Sequence, residues 1–105
     1  MRKARIFMHG IPAGVLEEVM IGRSYRFIYD ADYSGPPVSL AMPWSDKLEY
    51  AFDVFPPLFD GLLPEGVMLE ALLKQRKLDH GDFFGQLMAV GADLVGAITV
   101  EEIAT

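Results

Sequence analysis

Metal binding and thiol chemistry depend on a few side-chain types, which are scarce in this sequence. The chain has two histidines, His9 and His80, and no cysteine. Each histidine stands beside a glycine, at a position typical of a turn or a helix end. A transition-metal site needs three or four ligands, and these two histidines are far apart in the chain. Without cysteine there is also no disulfide and no thiolate nucleophile, so we expect no metal and no cofactor.

Acid–base and nucleophilic catalysis have equally little support from the residue pattern. Asp30 and Asp32 could form a carboxylate pair, but they precede a Gly-Pro-Pro loop, where aspartate commonly accepts backbone hydrogen bonds. None of the four serines has a histidine neighbour in a nucleophile motif. The segment 91–96 lacks the lysine of a phosphate-binding loop and favours a helix end followed by a strand. We therefore predict that the chain is not an enzyme.

Composition and charge narrow the class of partner. Nine Lys and Arg residues stand against fifteen Asp and Glu residues, which gives a formal net charge of −6. Nucleic-acid affinity rests largely on cations that neutralise phosphates, so direct binding to nucleic acid is not expected, whereas a basic protein surface would be complementary. No apolar run approaches the roughly 20 residues of a membrane span, and the basic start lacks the unbroken apolar segment of a signal peptide. We predict a cytoplasmic protein that contacts no membrane.

The first half of the chain has the two-residue alternation of β-strands. In residues 25–30 the aromatic side chains Tyr25, Phe27 and Tyr29 fall on one face of the expected strand. Gly-Pro-Pro predicts a loop over residues 31–37. The expected strands are residues 3–8, 15–21, 25–30, 38–42 and, less regularly, 50–54, with a turn over residues 9–14.

The second half has helical spacing and helix end signals. Gly61 ends a single helical turn, and a longer helix is predicted to begin near Pro64 and to stop at His80. Asp82 suits the cap of a further helix that ends at Gly91. A last strand follows over residues 95–100. The helical residues expected to be buried are Met68, Leu69, Leu72, Leu73, Phe83, Phe84, Leu87 and Met88.

Several strands followed by helices and then one more strand are typical of an α+β fold. A chain of 105 residues is the size of one domain, and 51% apolar residues are enough to form a core. We therefore predict a small single domain over residues 1–105, with a mainly antiparallel sheet and two to three helices.

Four sequence blocks resemble the N-terminal subdomain of HipA-type toxin kinases. They have the order and similar spacing of that family: Tyr-Arg-Phe-Ile-Tyr-Asp (25–30), Val-Ser-Leu-Ala-Met-Pro (38–43), Phe-Asp-Gly-Leu-Leu-Pro-Glu-Gly (59–66) and Gly-Ala-Asp-Leu-Val-Gly-Ala (91–97). The Leu-Leu-Pro-Glu-Gly portion is the most specific. The resemblance covers about residues 3–102 and implies a fold like that of the HipA N-terminal subdomain.

The resemblance also implies a function, because the kinase motifs themselves are absent from the sequence. There is no Gly-rich phosphate loop, no His-Arg-Asp catalytic loop and no metal-binding Asp-Phe-Gly. The chain is similar to the separate HipS-like small subunits of HipB–HipS–HipT toxin–antitoxin systems, in which HipT is the kinase and HipB binds DNA. On this basis we expect a stand-alone antitoxin that binds and neutralises a HipT-like kinase, in a complex that includes a HipB-like DNA-binding protein.

Two routes to inhibition and one alternative function stay open at this point. The chain could block the nucleotide or substrate cleft of the kinase, or it could dock where a fused N-terminal subdomain would sit. Alternatively, it could be a structural or activating module that completes a HipA-like kinase split into two genes.

The residues expected to contact the kinase are Trp44, Phe59, Leu62, Leu63, Pro64 and Glu65. In the Leu-Leu-Pro-Glu-Gly block the leucines also suit the core, and the rim that includes Phe59 and Glu65 would face the kinase. Trp44, the single tryptophan, follows a proline where the chain leaves an expected strand. It is either a half-buried cover of the sheet edge or an exposed anchor, since Trp is enriched at binding hot spots.

Overall fold

A computed structural model describes residues 1–94 and 96–104 and confirms the α+β class with one antiparallel sheet. The strands are β1 (Arg2–Met8), β2 (Ile11–Met20), β3 (Ser24–Tyr29), β4 (Glu49–Phe52) and β5 (Ile98–Ile103). The helices of the described residues are α1 (Pro57–Asp60), α2 (Gly66–Arg76) and α3 (Phe83–Val90), and a 3-10 turn at Gly91–Asp93 follows α3.

The core lies between the sheet and the helical half of the chain. The sheet has the order β4-β3-β2-β1-β5, and each pair of neighbouring strands is antiparallel. Phe59 of α1 and Phe84 and Leu87 of α3 have no exposed surface. The ring of Phe59 lies 6.2 Å from that of Phe27 on β3, measured between centroids. The buried side chains of the sheet include Ala4, Ile6, Leu16, Tyr25, Phe27, Tyr29, Ile98 and Val100.

The opposite face of the sheet, which we call the open face, carries half-buried polar and apolar side chains. Lys3, Glu17 and Arg26 lie side by side on β1, β2 and β3. Glu17 accepts a hydrogen bond of 2.8 Å from Nε of Arg26, and its other carboxylate oxygen lies 3.3 Å from Nζ of Lys3. This row of alternating charge is the pattern of cross-strand pairs on a solvent-facing sheet.

The turn between β1 and β2 is shorter than the predicted one over residues 9–14. Only His9 and Gly10 lie outside the strands, and both have positive φ, 52° and 79°. A two-residue hairpin turn of this kind needs left-handed backbone at both positions, which glycine adopts readily. β2 therefore begins at Ile11 and includes Pro12 and Gly14, and a bulge opposite β1 accommodates the extra residue.

The strand predicted over residues 38–42 is wrong, and the burial does not follow the alternation that suggested it, since Leu40 is 93% exposed. Val38 and Met42 are buried, but the segment is a succession of turns around the hydroxyl of Tyr29. That hydroxyl donates to the carbonyl oxygen of Met42 at 2.6 Å and accepts from the amide of Val38 at 3.0 Å. Burial raises the pKa of Tyr29, which keeps the hydroxyl protonated. The loop wrapped around this buried tyrosine thus buries Val38 and Met42 and leaves Leu40 between them in solvent.

The boundaries of α2 differ from the predicted ones because of local backbone conformation. Glu65 is still extended, with φ −129° and ψ 163°, so the helix begins at Gly66 instead of Pro64. Lys77 is left-handed, with φ 55°, and its amide bonds to the carbonyl oxygen of Leu73, so the helix ends before His80.

The remaining elements are close to their expected positions. The single helical turn before Gly61 and the short strand near residues 50–54 are confirmed. Asp82 caps α3 as predicted, since its carboxylate accepts a 3.0 Å hydrogen bond from the amide of Gly85. Phe83, expected to be buried, is 38% exposed. The last strand begins at Ile98 and not at Val95, which lies outside the described residues.

Gly91 is needed for close packing and not for a left-handed helix end. It is the C-cap of α3, as expected, but its φ of −56° and ψ of −33° are right-handed, so glycine is not needed there for a left-handed helix end. A Cβ at this position would overlap the carbonyl oxygen of Val100 and lie 2.7 Å from the Cβ of Val100. The end of α3 therefore lies against β5 at a distance that only glycine permits.

We predict that Gly91→Ala lowers the free energy of unfolding by about 2 kcal/mol, because the added methyl group must push α3 away from β5. Urea unfolding monitored by circular dichroism measures this change. Gly81→Ala is the matched control, since a Cβ at Gly81 would meet nothing within 4 Å. Equal stability of the two variants would contradict the close-packing role of Gly91.

Arg2 connects the first strand to the second strand and to the cap of α3. Its guanidinium donates to Glu18 at 2.7 and 2.9 Å and to Asp82 at 3.3 and 2.8 Å. It also lies 5.1 Å from the ring centroid of Phe84. Partial burial raises the pKa of Asp82, but the hydrogen bonds from Arg2 and from the amide of Gly85 lower it more, so the net shift is downward.

We predict that Asp82→Asn destabilises the fold at neutral pH by about 1 kcal/mol, because asparagine keeps the helix cap but loses the charged bond to Arg2. The pKa of Asp82 is lower in the folded chain than its usual 3.8. Its contribution is therefore present above pH 3.8 and is lost as the pH falls further, through the folded pKa.

Chemical unfolding from pH 7 to pH 2.5 tests this prediction. The difference between the wild-type chain and Asp82→Asn should shrink at the acid end. Asp53→Asn is the control, because Asp53 is exposed and makes no ion pair among the described residues. A difference that stays constant over the whole pH range would show that the ion pair with Arg2 contributes nothing.

Candidate interaction surface

The connection between α1 and α2 contains most of the residues predicted to bind a partner. Phe59, a further predicted contact that lies in α1 itself, has no exposed surface and packs in the core. Its amide bonds to the carbonyl oxygen of Pro56 at 3.0 Å, which starts the single turn of α1. The prediction that Phe59 forms part of an exposed rim is therefore wrong, because its ring fills the space between the sheet and the helices.

Leu62, Leu63 and Pro64 are half-buried and support the residues that follow them. The amide of Leu62 bonds to the carbonyl oxygen of Phe59 and that of Leu63 to the carbonyl oxygen of Asp60, both at 3.1 Å. Both leucine side chains pack against the core and leave part of their surface in solvent. The core interpretation of these leucines thus accounts for their inner side only.

Gly66 changes the direction of the chain at the start of α2. Its φ of 60° is left-handed, and a Cβ there would meet nothing within 4 Å, so glycine is needed for conformation and not for space. The next two side chains are apolar and largely exposed: Val67 at 86% and Met68 at 74%. We call residues 64–68 the α2 shoulder.

The α2 shoulder projects from the domain because α2 is held by its later turns. Leu73 is buried and Leu69 and Leu72 are half-buried, so the packed stripe starts only at Leu69. The prediction that Met68 belongs to this stripe is wrong, and the sequence pattern gave no indication that Val67 is exposed. The pattern of i, i+3 and i+4 apolar positions continues into the first turn, although Val67 and Met68 there are exposed to solvent. The one sequence signal that could have identified this exposed first turn is Gly66, which stands between the polar Glu65 and the apolar residues that follow it.

Trp44 is half-buried and packs against the core. Its indole Nε1 donates to the carbonyl oxygen of Gly35 at 2.8 Å. The neighbouring carbonyl oxygen of Pro43 accepts from the hydroxyl of Tyr50 at 2.7 Å. This geometry favours the interpretation of Trp44 as a cover of the sheet edge, because a satisfied indole that packs on the core is less available to a partner.

A second exposed apolar group lies at the tip of the hairpin between β2 and β3. Ile21 is 84% exposed, and Met20 and Met1 are exposed beside the same end of the sheet. We call Met1, Met20 and Ile21 the hairpin tip. Large exposed apolar groups on a small domain commonly mark contacts with other molecules.

A metal-binding arrangement is not found in residues 1–94 and 96–104. No group of three or more His, Asp or Glu side chains there could hold a metal ion. Asp30, considered for acid–base chemistry, forms an ion pair with Arg5 at 2.9 Å, and Asp32 is exposed. In the same part of the chain, no helix is both long and apolar enough to span a bilayer.

Comparison with known proteins gives consistent results over nearly the whole chain. A family model described as HipA N-terminal domain matches residues 4–101. A solved structure described as the N-terminal domain of HipA toxin superposes with a TM-score of 0.77 at 27% identity, covering 100% of this chain and 95% of that one. A relative from Haemophilus influenzae, described as an uncharacterized protein, is 31% identical over 101 residues, which are 96% of this chain and 92% of the relative.

We predict that Trp44→Ala lowers the free energy of unfolding by about 3 kcal/mol, since it removes a large side chain from the edge of the core. Trp44→Phe, which retains most of the packing but loses the hydrogen bond to Gly35, should cost about 1 kcal/mol. Equilibrium unfolding in urea measures both. If Trp44→Ala unfolds like the wild-type chain, Trp44 is an exposed anchor and not a cover of the sheet.

Proposed function

The chain belongs to the HipA N-terminal domain family, and on this basis we propose that it is an antitoxin subunit that binds and neutralises a HipT-like serine/threonine-protein kinase. The observation that carries the proposal is the combination of this family fold with an exposed apolar segment at its most family-specific motif. The structure named as the N-terminal domain of HipA toxin is a part of a toxin. A domain that sits beside a kinase in one family member is suited to dock on a related kinase as a separate chain.

The α2 shoulder is the surface that we propose for this docking. Val67 and Met68 follow the Leu-Leu-Pro-Glu-Gly motif directly, and burying such side chains in a partner contributes about 1.5–3 kcal/mol each. Methionine is flexible and adapts to irregular apolar pockets. Glu65 beside them is exposed and negatively charged, so a pocket with an apolar floor and a basic rim would be complementary.

The proposal gives different roles to the residues predicted from the sequence. Glu65 and the outer surfaces of Leu62, Leu63 and Pro64 contact the kinase, while Phe59 supports them from the core. Trp44 stabilises the loop beside the sheet and is not needed at the interface. The chain itself does not catalyse the reaction, and it acts in the cytoplasm, where the kinase phosphorylates its substrates. The same proposal includes a HipB-like protein that binds DNA in the complex.

A phosphorylation assay tests the proposed function. A HipT-like kinase from the same operon is incubated with ATP and increasing amounts of this chain. We expect kinase activity to fall to background near equimolar concentration, because the docked subunit prevents turnover. An increase in activity would instead support the alternative of a split kinase that this chain completes.

We predict that the double variant Val67→Asp and Met68→Asp weakens kinase binding by roughly 30-fold or more, because two apolar contacts are replaced by charges that must be desolvated. Isothermal titration calorimetry measures the Kd. The melting temperature should be unchanged, since both side chains are exposed in the free chain.

Two further variants locate the interface. Leu40→Asp is the matched control, because Leu40 is an apolar residue that is 93% exposed and lies far from α2 in the sequence. Ile21→Asp tests the hairpin tip. Weaker binding by Ile21→Asp, with the shoulder variant unaffected, would move the interface from the α2 shoulder to the hairpin tip.

A further inference from the structure

The methionine side chains are the sulfur groups of this chain, and they differ widely in exposure. The sequence has six methionines and no cysteine. Met8 and Met42 are buried in the core, whereas Met68 is 74% exposed, the largest exposed fraction of any methionine in the chain. Oxidation of a methionine by a peroxide requires contact between the oxidant and the sulfur atom. Met68 is therefore the methionine that a dissolved peroxide reaches most easily.

Met68 also differs from the other exposed methionines in its place in the fold. Met1 and Met20 belong to the hairpin tip, whereas Met68 is the third residue of α2 and part of the α2 shoulder. The helix is held by later positions, such as the buried Leu73. A chemical change at Met68 therefore alters the apolar surface of the α2 shoulder and leaves the packing that holds α2 in place.

Hydrogen peroxide converts the Met68 thioether to a sulfoxide in one balanced step. The sulfur donates an electron pair to one peroxide oxygen, so an S–O bond forms while the O–O bond breaks. The other oxygen leaves as hydroxide and takes up the proton of the transferred oxygen, which gives water. The sulfur is oxidised and the peroxide is reduced. The side chain keeps its length, but a flexible apolar group becomes a polar one that accepts hydrogen bonds.

We propose that Met68 is a reversible oxidation site through which peroxide controls the release of the partner kinase, an inference that rests on the proposed function and on docking at the α2 shoulder. The reduced Met68 places an apolar side chain in the partner. The sulfoxide must lose its bound water to enter the same apolar pocket, which disfavours docking. In the free chain the sulfoxide stays in solvent, so the fold is unaffected.

The docked state protects Met68, because a partner that buries the thioether also keeps peroxide away from it. Oxidation therefore acts on the free chain, and an oxidised chain does not rebind with its original affinity. The rate at which active kinase is released is then limited by dissociation of the complex. Methionine sulfoxide reductases, one for each sulfoxide epimer, restore the thioether. The exposure of Met68 gives these reductases access to the site.

Peptide mass spectrometry of the full chain after timed exposure to hydrogen peroxide tests the site itself. We expect Met68 to be oxidised about tenfold faster than Met8 and Met42, because their sulfur atoms are buried. An excess of the kinase should slow the oxidation of Met68, and the melting temperature should not change while the buried methionines are still reduced. Oxidation of Met68 no faster than that of the buried methionines, or equally fast with the kinase present, would overturn the proposal.

Calorimetric titration of the kinase with the oxidised chain, after the peroxide is removed, tests the effect on docking. Oxidation should raise the Kd by about five- to hundredfold, the range for burying an unpaired polar group, and treatment with both reductases should reverse it. The untreated chain tests the proposed function in the same experiment. Its failure to bind would refute the docking as well, whereas equal Kd values before and after oxidation would overturn the oxidation site alone.

Two leucine variants assign the effect to one sulfur atom. Each variant is compared with itself before and after peroxide. The Kd of Met68→Leu, whatever its starting value, should not respond to peroxide, because leucine has no sulfur. Met20→Leu is the matched control at another exposed methionine, and its Kd should still rise on oxidation. A rise for Met68→Leu as large as that of the wild-type chain would assign the effect to another methionine and overturn the proposal.

Discussion

The guanidinium of Arg2 is the contact on which the arrangement of sheet and helices depends. It bonds to Glu18 on the neighbouring strand and to Asp82 eighty positions later in the chain, and it lies over the ring of Phe84. Glu18 is almost completely buried, so its charge would be costly without this partner. Asp82 in turn caps α3, whose end lies against β5 at Gly91. One side chain near the start of the chain thereby fixes the helix that closes the core.

As a consequence of this arrangement, the two faces of the sheet have different environments. The core face receives the helices and all the large buried side chains, and the helical layer presents α2 to the outside. The open face carries partly buried charged pairs, such as that of Arg26 with Glu17. The family fold alone would give only the layers. The two surfaces differ in chemistry because the layers expose apolar and acidic groups at different places.

Much of the fold could be predicted from the sequence because several local rules agreed there. Alternation found β1 and β3, and the cap at Asp82 marked α3. Residues 38–42 do not form the predicted strand because the segment wraps around the Tyr29 hydroxyl, which buries Val38 and Met42 and leaves Leu40 exposed. The start of α2 was misplaced because Pro64 suits a first helical position, but the backbone stays extended until Gly66. Tertiary contacts decided both cases, and no local pattern contains them.

The candidate site was predictable as a motif but not as a surface. The Leu-Leu-Pro-Glu-Gly block pointed to the segment before α2, because a family resemblance carries positional information. It could not tell that Phe59 points inward while Val67 and Met68 point outward. That distinction depends on the left-handed backbone at Gly66, which turns the helix start away from the core. The exposure of a side chain depends on how the layers assemble, and no local sequence pattern indicates it.

Trp44 is an intrinsic fluorescent probe at one defined position in the fold. It is the single tryptophan, and its indole is fixed to the loop at Gly35, beside the turns that surround Tyr29. Emission from this indole therefore reports the solvent environment of that loop alone. A ligand seated on α2 would leave the spectrum unchanged, whereas detachment of the loop from the sheet would shift it to longer wavelengths. The fluorescence of Trp44 therefore detects the loss of packing between this loop and the core without an added label.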